Sequence, residues 1–595
     1  MVRSHYDGKD FYLSWKFITS FCSLLRLLYP RFEYVAILTI FTLIAAGGYE
    51  VVSYHSGTIT GDFYMALQER NESYFWNLFW KATLIYLGQC LLLASTTFLT
   101  WLLYICMRRN LVDALHKMYF RKNAYYQLNS VDNAGIDNPD QRITQDAERM
   151  CSTLAKNIFP YILISPGVIG YYTYKTWVIA GPFGVAIIYT YFIIGVIANR
   201  LLVSPLTKWT ARVERAEGDF RYKHVSVRNN AEESAFYNAA QFDLHESDRF
   251  FTSLLKTQLT TTLWKYPAQF LQNFFDYYGG VLSYVIQVFP IFIFHSYDNM
   301  DPATLSKQIS NNAFYFIYLI NSFTRLTDLA MNIGEMAGYS QRVAELVRYL
   351  ENNHEEETSF WSCGNGDESP DLLVTEKLSF SVPNDPDHLI TEGLNLRLPK
   401  CKTLLITGGS GVGKTSLLRV VKKLWEPCGG TIIRNFTHTS AMFLPQRPYF
   451  PPGSLSIRQQ IIFPRLESEV QCLDLENDRI VKILHLLNLM TLISMCGSLT
   501  DPATFEWQDT LSPGELQRLS IARVLFHRPP FVFLDEATSS MSIDAEAIVY
   551  TLLQKEKITY ISTGHRTSLK QYHDWELHRH EKNGWQLVTN EDRKP

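Results

Sequence analysis

Nine consecutive residues, Gly408 to Ser416, read GGSGVGKTS and fit the phosphate-binding spacing G-x-x-x-x-G-K-[ST], with Gly408, Gly413, Lys414 and Thr415 in the fixed places. Gly409, Ser410, Gly411 and Val412 fill the interval. Glycines allow such a loop to wrap until successive backbone N–H groups point inward at phosphate oxygens. Lys414 then reaches the β and γ oxygens, and the Thr415 hydroxyl can ligate magnesium. A second chemical run, Phe531-Val532-Phe533-Leu534-Asp535-Glu536, ends an apolar stretch in two carboxylates. Asp535 is placed to hold magnesium through its water shell, and Glu536 to polarise a water that attacks the γ-phosphate. ATP and magnesium are the implied ligands.

The elements that must position these groups are legible around them. Leu404-Leu405-Ile406 suits a buried strand running into the loop, and Ser416 to Val421 starts a helix whose N-terminus faces the anion. Phe531 to Leu534 suits a second buried strand. The expected fold of this half is α/β.

The rest of the chain has a different character. Its 595 residues imply several domains, and a net charge of −3 gives no nucleic-acid footprint. Aliphatic and aromatic residues concentrate before residue 340. The nine cysteines show no paired spacing, so neither a zinc site nor a disulfide framework is expected. No cleaved signal is visible.

Phe11 to Phe32 mixes apolar residues with Lys16, Arg26 and Arg31 and reads as an amphipathic helix, either at a membrane surface or docked on a partner. Six apolar segments follow, near 33–53, 79–106, 156–174, 178–200, 268–294 and 312–331. Each is of the length that crosses about 30 Å of hydrocarbon, roughly 20 helical residues. The third and fourth are separated only by Tyr174-Lys175-Thr176-Trp177 and are expected to form a helical hairpin. Basic residues after span two (Arg108, Arg109, Lys117, Arg121, Lys122) and after span four (Lys208, Arg212, Arg215, Arg221, Lys223) put those loops in the cytosol. The loops near 54–78 and 295–311 are then lumenal or extracellular. Tyr74, Trp76 and Trp80 stand where an interfacial aromatic belt is expected, a placement that core packing also accounts for.

Asn71-Glu72-Ser73 is a glycosylation sequon on that lumenal side, a few residues from the expected membrane. A second sequon, Asn435-Phe436-Thr437, lies in the cytosolic half. Within the spans, Asp276 and Arg325 are costly in lipid and are expected to face partner groups or a wet cavity, as pathway residues or as structural polar contacts, with Arg325 fitting the structural contact or a helix end outside the bilayer better. The domains expected are an amphipathic segment over 1–31, a six-helix membrane domain over 32–350, an acidic linker over 351–371 and a nucleotide-binding domain over 372–595.

Leu511-Ser512-Pro513-Gly514-Glu515 resembles the signature of ABC transporters, usually written LSGGQ. With Gln446 in Phe443-Leu444-Pro445-Gln446 and His565 in Ser562-Thr563-Gly564-His565-Arg566, the order of motifs is similar to that of the ABC nucleotide-binding domain. The resemblance implies head-to-tail pairing of two such domains. ATP is then held between the phosphate loop of one and the signature turn (Ser512, Gly514, Glu515) of the other. It also implies that Gln446 senses magnesium and that His565 contacts the γ-phosphate. Three positions depart from the pattern: Pro513 replaces a glycine, Ser542 stands where an aspartate is usual, and Val382 stands where an aromatic would stack on adenine.

Asn138-Pro139-Asp140-Gln141-Arg142-Ile143, Glu217 to His224 and Asn230 to Tyr237 resemble the cytosolic loops of subfamily D, whose half-transporters sit in peroxisomes and lysosomes. LSPGE and Ser542 are most similar to the lysosomal branch associated with cobalamin export. That likeness implies a dimer with a second copy or a related half-transporter, in the lipid of the lysosomal membrane or the endoplasmic reticulum. Its implied cargo is cobalamin, moved to the cytosol, with a lysosomal membrane protein as a further partner. The competing readings are a peroxisomal acyl-CoA transporter and an ATP-binding membrane scaffold with feeble hydrolysis.

Overall fold

The computed structural model describes residues 15–30, 34–131, 136, 138–355, 370–383, 385–437, 439–469, 473–580 and 584–589. Two compact units emerge, Met1–Phe120 with Ile136–Glu351, and Arg121–Gly135 with Asn352–Pro595.

The first unit is helical. A short helix, Trp15–Leu28, precedes the long helices Tyr34–Gln68, Glu72–Tyr119, Ile164–Asn229, Ala240–Ile286 and Pro302–Glu355. Of the amphipathic segment expected over Phe11 to Phe32, residues 11–14, 31 and 32 lie outside the described residues. Among those described, three stretches are long and apolar enough to cross a membrane: Tyr34–Gln68, Glu72–Tyr119 and Pro139–Ala198. The last contains the expected third and fourth spans. Its turn is not at Tyr174–Trp177, which stays helical, but at Gly181, with φ 64° and ψ −167°. The Thr173 and Tyr189 hydroxyls lie 3.1 Å apart although sixteen residues separate them. A straight helix would hold those residues about 24 Å apart, so the chain reverses between them. Glycine adopts the positive φ at no steric cost, and Pro182 next to it cannot continue the helical ladder.

The expected sixth span is helical within Pro302–Glu355, whereas the expected fifth is divided between Ala240–Ile286 and the wide turn Phe289–Ile293, and neither long helix is apolar enough over its described residues to stand with those three. Polar residues dilute them, and several of these are satisfied inside the protein. Gln287 donates to the Ile309 carbonyl at 3.1 Å, and the Asn312 amide donates to the Tyr297 hydroxyl at 3.0 Å. The side chain of Asp276 lies outside those described. Arg325 has a partner: its Nη1 donates to Glu50 Oε1 at 3.2 Å, and Glu50 also accepts from the Tyr318 hydroxyl. The guanidinium sits 5.5 Å above the Tyr318 ring.

Helices Tyr34–Gln68 and Pro302–Glu355 approach closely because glycines line the crossing. A Cβ at Gly57 would lie 2.0 Å from the Phe314 ring, and one at Gly61 would lie 2.6 Å from Asn311 Oδ1 and 2.8 Å from the Lys307 carbonyl. This four-residue spacing of small residues lets two helix backbones approach closely, as the same spacing does between helices inside a membrane. Beside it, Lys307 Nζ meets Asp62 Oδ1 at 2.6 Å. Gly61→Val is expected to force the helices apart at a cost of about 1–3 kcal/mol. A lowered unfolding midpoint of the purified protein in detergent checks this, and an unchanged midpoint would count against close packing there.

Among its described residues the second unit carries nine strands: β1 (Asp371–Val382), β2 (Asp385–Pro399), β3 (Leu404–Gly408), β4 (Gly429–Arg434), β5 (Ala441–Leu444), β6 (Phe531–Asp535), β7 (Thr559–Thr563), β8 (Trp575–His580) and β9 (Gly584–Thr589). A three-stranded antiparallel sheet has the order β2-β1-β4. The main sheet has the order β5-β6-β7-β3-β8-β9, parallel except for β9. Strands β3, β6 and β7 are buried almost throughout, as their continuous apolar runs require in a parallel sheet covered on both faces.

The short segment Arg121–Gly135, drawn from sequence inside the 32–350 region, clusters with this second unit. Tyr126 and Val131 pack on its core, and Trp425 Nε1 donates to the Tyr126 hydroxyl at 3.1 Å. Of the stretch read as an acidic linker, residues 351–355 continue the preceding helix, 356–369 lie outside the described residues, and β1 begins at Asp371.

Candidate functional site

Parallel strands bring their C-terminal ends to one edge, and the register of this sheet assembles the site there. Thr563 of β7 is level with Asp535 of β6 on one side and Ile406 of β3 on the other. The phosphate loop leaves β3 two residues later, at Gly408. Leu444 of β5 is level with Leu534 of β6, so Gln446 and Glu536, each two residues further on, arrive side by side.

The loop itself runs through positive φ at Gly408 (148°), Gly411 (80°) and Gly413 (96°). Gly413 also has no room for a side chain, since a Cβ would lie 2.3 Å from Ile390. Gly409, Ser410 and Val412 complete the loop, and Lys414, Thr415 and Ser416 form the first turn of the helix Lys414–Val421. The helix N-terminus thus faces the loop's concavity. Lys414 Nζ donates to the carbonyls of Gly408 at 3.1 Å and Gly409 at 2.9 Å. Burial pulls its ammonium below the ordinary lysine value, against the opposing pull of Glu536 and Asp535.

Behind the loop, Asp535 Oδ1 accepts from Thr563 Oγ1 at 2.8 Å and from Thr415 Oγ1 at 3.1 Å. Burial raises the Asp535 carboxyl above the usual range, and the two hydroxyls work the other way. A hydroxyl and a carboxylate oxygen this close are hard donors of the kind magnesium prefers. Among the described residues no group of three or more His, Cys, Asp or Glu could hold a metal by itself. A cation here would draw on Thr415, Asp535 and Gln446 together with phosphate oxygens.

Glu536 adopts a left-handed backbone, φ 46°, uncommon for a residue with a side chain. Its amide donates to Thr563 Oγ1 at 2.9 Å. Its two carboxylate oxygens are divided: Oε2 accepts from Gln446 Nε2 at 2.8 Å, and Oε1 lies 2.9 Å from His565 Nε2. The same His565 nitrogen is 3.1 Å from Lys414 Nζ. It can serve one neighbour at a time: protonated, it donates to Glu536, and unprotonated, it accepts from Lys414. Six of the residues singled out from sequence therefore form one connected cluster: Lys414, Thr415, Gln446, Asp535, Glu536 and His565.

The signature residues form a second cluster. Ser512 caps the helix Pro513–His527 in a reciprocal box with Glu515. The Glu515 amide donates to Ser512 Oγ at 3.4 Å, while Glu515 Oε2 accepts from the Ser512 amide at 3.0 Å and hydroxyl at 2.6 Å. The hydroxyl and backbone bonds from Ser512 hold the Glu515 carboxyl below the usual range. Pro513 occupies the first helical position, where its missing N–H costs the helix nothing. Gly514 lies against Ser540, whose carbonyl would be 3.0 Å from a Cβ. Ser542 also has a clear role, capping the helix Ile543–Lys555 by accepting from the Ala545 amide at 3.3 Å. A serine serves as well as an aspartate there. Val382 ends β1, half-buried and paired with Asp385.

Sequence reasoning missed Thr563, which ties Asp535 to Glu536, although it stood inside the quoted run Ser562 to Arg566. It also missed Gln517, which joins the signature helix to the segment after Glu536. Gln517 Nε2 donates to Ser539 Oγ at 3.1 Å, and its Oε1 accepts from the Ser540 amide at 2.9 Å. Arg566 holds the same segment through the carbonyls of Ser539 and Met541.

Comparison with known proteins agrees with this geometry. Residues 24–292 match the family "ABC transporter transmembrane region 2", and residues 391–539 match the family "ABC transporter". The lysosomal cobalamin transporter ABCD4 of Mus musculus is 36% identical over 595 aligned residues, covering 97% of each chain. The Homo sapiens protein of the same name is also 36% identical, with 97% of each chain covered. A bacterial Atm1-family ABC exporter, solved with ATP bound, shares the fold with a TM-score of 0.71 at 16% identity, covering 94% of this chain and 96% of that one. The chain is therefore a multi-pass membrane half-transporter of subfamily D of the ABC transporter family, with an ATP-binding domain that couples hydrolysis to transport.

Proposed function

We propose that two copies of this chain form an ATP-driven transporter that moves cobalamin from the lysosomal lumen to the cytosol. The observation that carries the reading is likeness over nearly the whole length to two lysosomal cobalamin transporters, not to an ATPase domain alone. The lysosomal membrane is drawn from the same likeness, and the direction is part of the proposal itself.

In this reading the loop amides and Lys414 bind the β and γ phosphates, and an arriving phosphate replaces the two carbonyls as Lys414's partner. Thr415, Asp535 and Gln446 would hold magnesium, which supplies charge neutralisation of the phosphates. Glu536 orients water and accepts its proton, and His565 touches the γ-phosphate. Ser512, Gly514 and Glu515 of one copy close over the nucleotide of the other, so one chain contributes half of each site. Val382 borders the adenine without stacking on it.

The test is ATP turnover of the purified full-length protein in lipid vesicles, with cobalamin or an acyl-CoA added in turn. Stimulation by cobalamin alone is expected. Stimulation by acyl-CoA alone would replace the cargo, and turnover no higher than that of a hydrolysis-dead variant under every addition would replace transport with a scaffold role.

A further inference from the structure

We infer that Asn71 carries an N-linked glycan. The inference rests on the orientation proposed above, with residues 54–78 on the lumenal side. Read from sequence, the sequon lies a few residues from the membrane, because the second apolar segment begins near residue 79. The structure places it much further out.

Helix Tyr34–Gln68 has 35 residues, so at about 1.5 Å per residue it runs roughly 52 Å. The hydrocarbon layer takes up only about 30 Å of that. If the slab begins near Tyr34, the helix leaves it near residue 54, and some 20 Å projects beyond. The following helix, Glu72–Tyr119, stays paired with it along this projection. Gly48 faces Leu92, the Tyr86 hydroxyl donates to the Ser56 carbonyl at 3.5 Å, and Phe63 meets Phe75 edge-on with centroids 5.5 Å apart. These pairs keep one antiparallel register, which puts residue 54 level with Tyr86. Asn71 is then fifteen residues, or about 22 Å, past that level on the second helix as well. Trp76 and Trp80, both exposed, lie between it and the membrane.

Asn71 closes the short link between the two helices, after Arg70 at φ 56°, and is itself exposed. It is the cap of helix Glu72–Tyr119, and its Oδ1 accepts from the Tyr74 amide at 3.1 Å. The cap uses the oxygen. Glycosylation uses Nδ2: the bond from the first sugar's C1 to its lipid-pyrophosphate carrier breaks, a C1–Nδ2 bond forms, and one Nδ2 proton leaves to a base of the transferase. Cap and glycan are compatible on one side chain. The other sequon shows the contrast, since Asn435 is only 7% exposed and its Nδ2 donates to the Asp371 carbonyl at 2.8 Å.

The experiment compares gel mobility of the full chain from cells with a secretory pathway, before and after an amide-cleaving glycosidase. Four forms are used: wild type, Asn71→Gln, Ser73→Ala, which breaks the sequon but keeps the cap, and Asp301→Thr. The last completes a sequon at exposed Asn299 in the other lumenal loop and retains an oxygen to cap the Ala303 amide, as Asp301 does at 3.2 Å. A single mobility step in the wild type, lost in Asn71→Gln and Ser73→Ala, is expected. A wild-type step that survives in both overturns the site. No wild-type step, with a step in Asp301→Thr, overturns the glycan while the orientation stands. No step in either overturns the orientation and the glycan together.

Discussion

Glu536→Gln is expected to reduce ATP turnover by at least about a hundredfold while leaving ATP binding intact. The glutamine keeps the size of the side chain and can still bond to Gln446 and His565, which now hold the two carboxylate oxygens at 2.8 and 2.9 Å. What it loses is the capacity to take a proton from water. Binding is expected to survive because the groups placed to hold phosphate, the loop amides and Lys414, are untouched. Single-turnover hydrolysis and equilibrium nucleotide binding, measured on the same preparation, separate the two effects. Turnover within threefold of wild type would remove Glu536 from the chemistry.

The second large effect is expected in the membrane unit. Arg325→Gln leaves Glu50 as a carboxylate among apolar helices with the Tyr318 and Ser53 hydroxyls nearby, and Glu50→Gln strands the guanidinium in the same way. Breaking one partner of such a pair leaves the remaining charge with its desolvation penalty and no Coulombic return, at a cost of about 1–3 kcal/mol here, below that of a fully buried pair because the Arg325 side chain keeps 41% exposure. Replacing both by glutamine removes both penalties. The thermal midpoint in lipid nanodiscs is therefore expected to fall steeply in each single variant and to recover substantially in the double variant. Additive losses would show that the two side chains act independently.

The phosphate loop, the paired carboxylates and the signature were legible because each is a local pattern whose chemistry depends on neighbours in sequence. The residues that join them were not, since Gln446 meets Glu536 only through the β5–β6 register, and Thr563 reaches Asp535 only because β7 lies beside β6. Glu50 was passed over as one carboxylate near the end of an apolar run. Its significance comes from Arg325, 275 residues away. The hairpin turn was misplaced because a polar quartet, Tyr174 to Trp177, outweighed Gly181-Pro182, a stronger backbone break. The fifth and sixth spans were drawn by length and spacing, whereas their polar residues are tolerated through partners that only tertiary packing supplies. The departures at Pro513 and Ser542 were legible as letters, but that both stand at helix starts was not.

The most direct measurement is ATP-dependent movement of labelled cobalamin in sealed proteoliposomes loaded with it, with the nucleotide-binding domains facing outward. The account predicts release to the outside that requires ATP, stops with Glu536→Gln and leaves a loaded acyl-CoA in place. Cobalamin retained at equal levels with and without ATP, in vesicles that hydrolyse ATP, would contradict it.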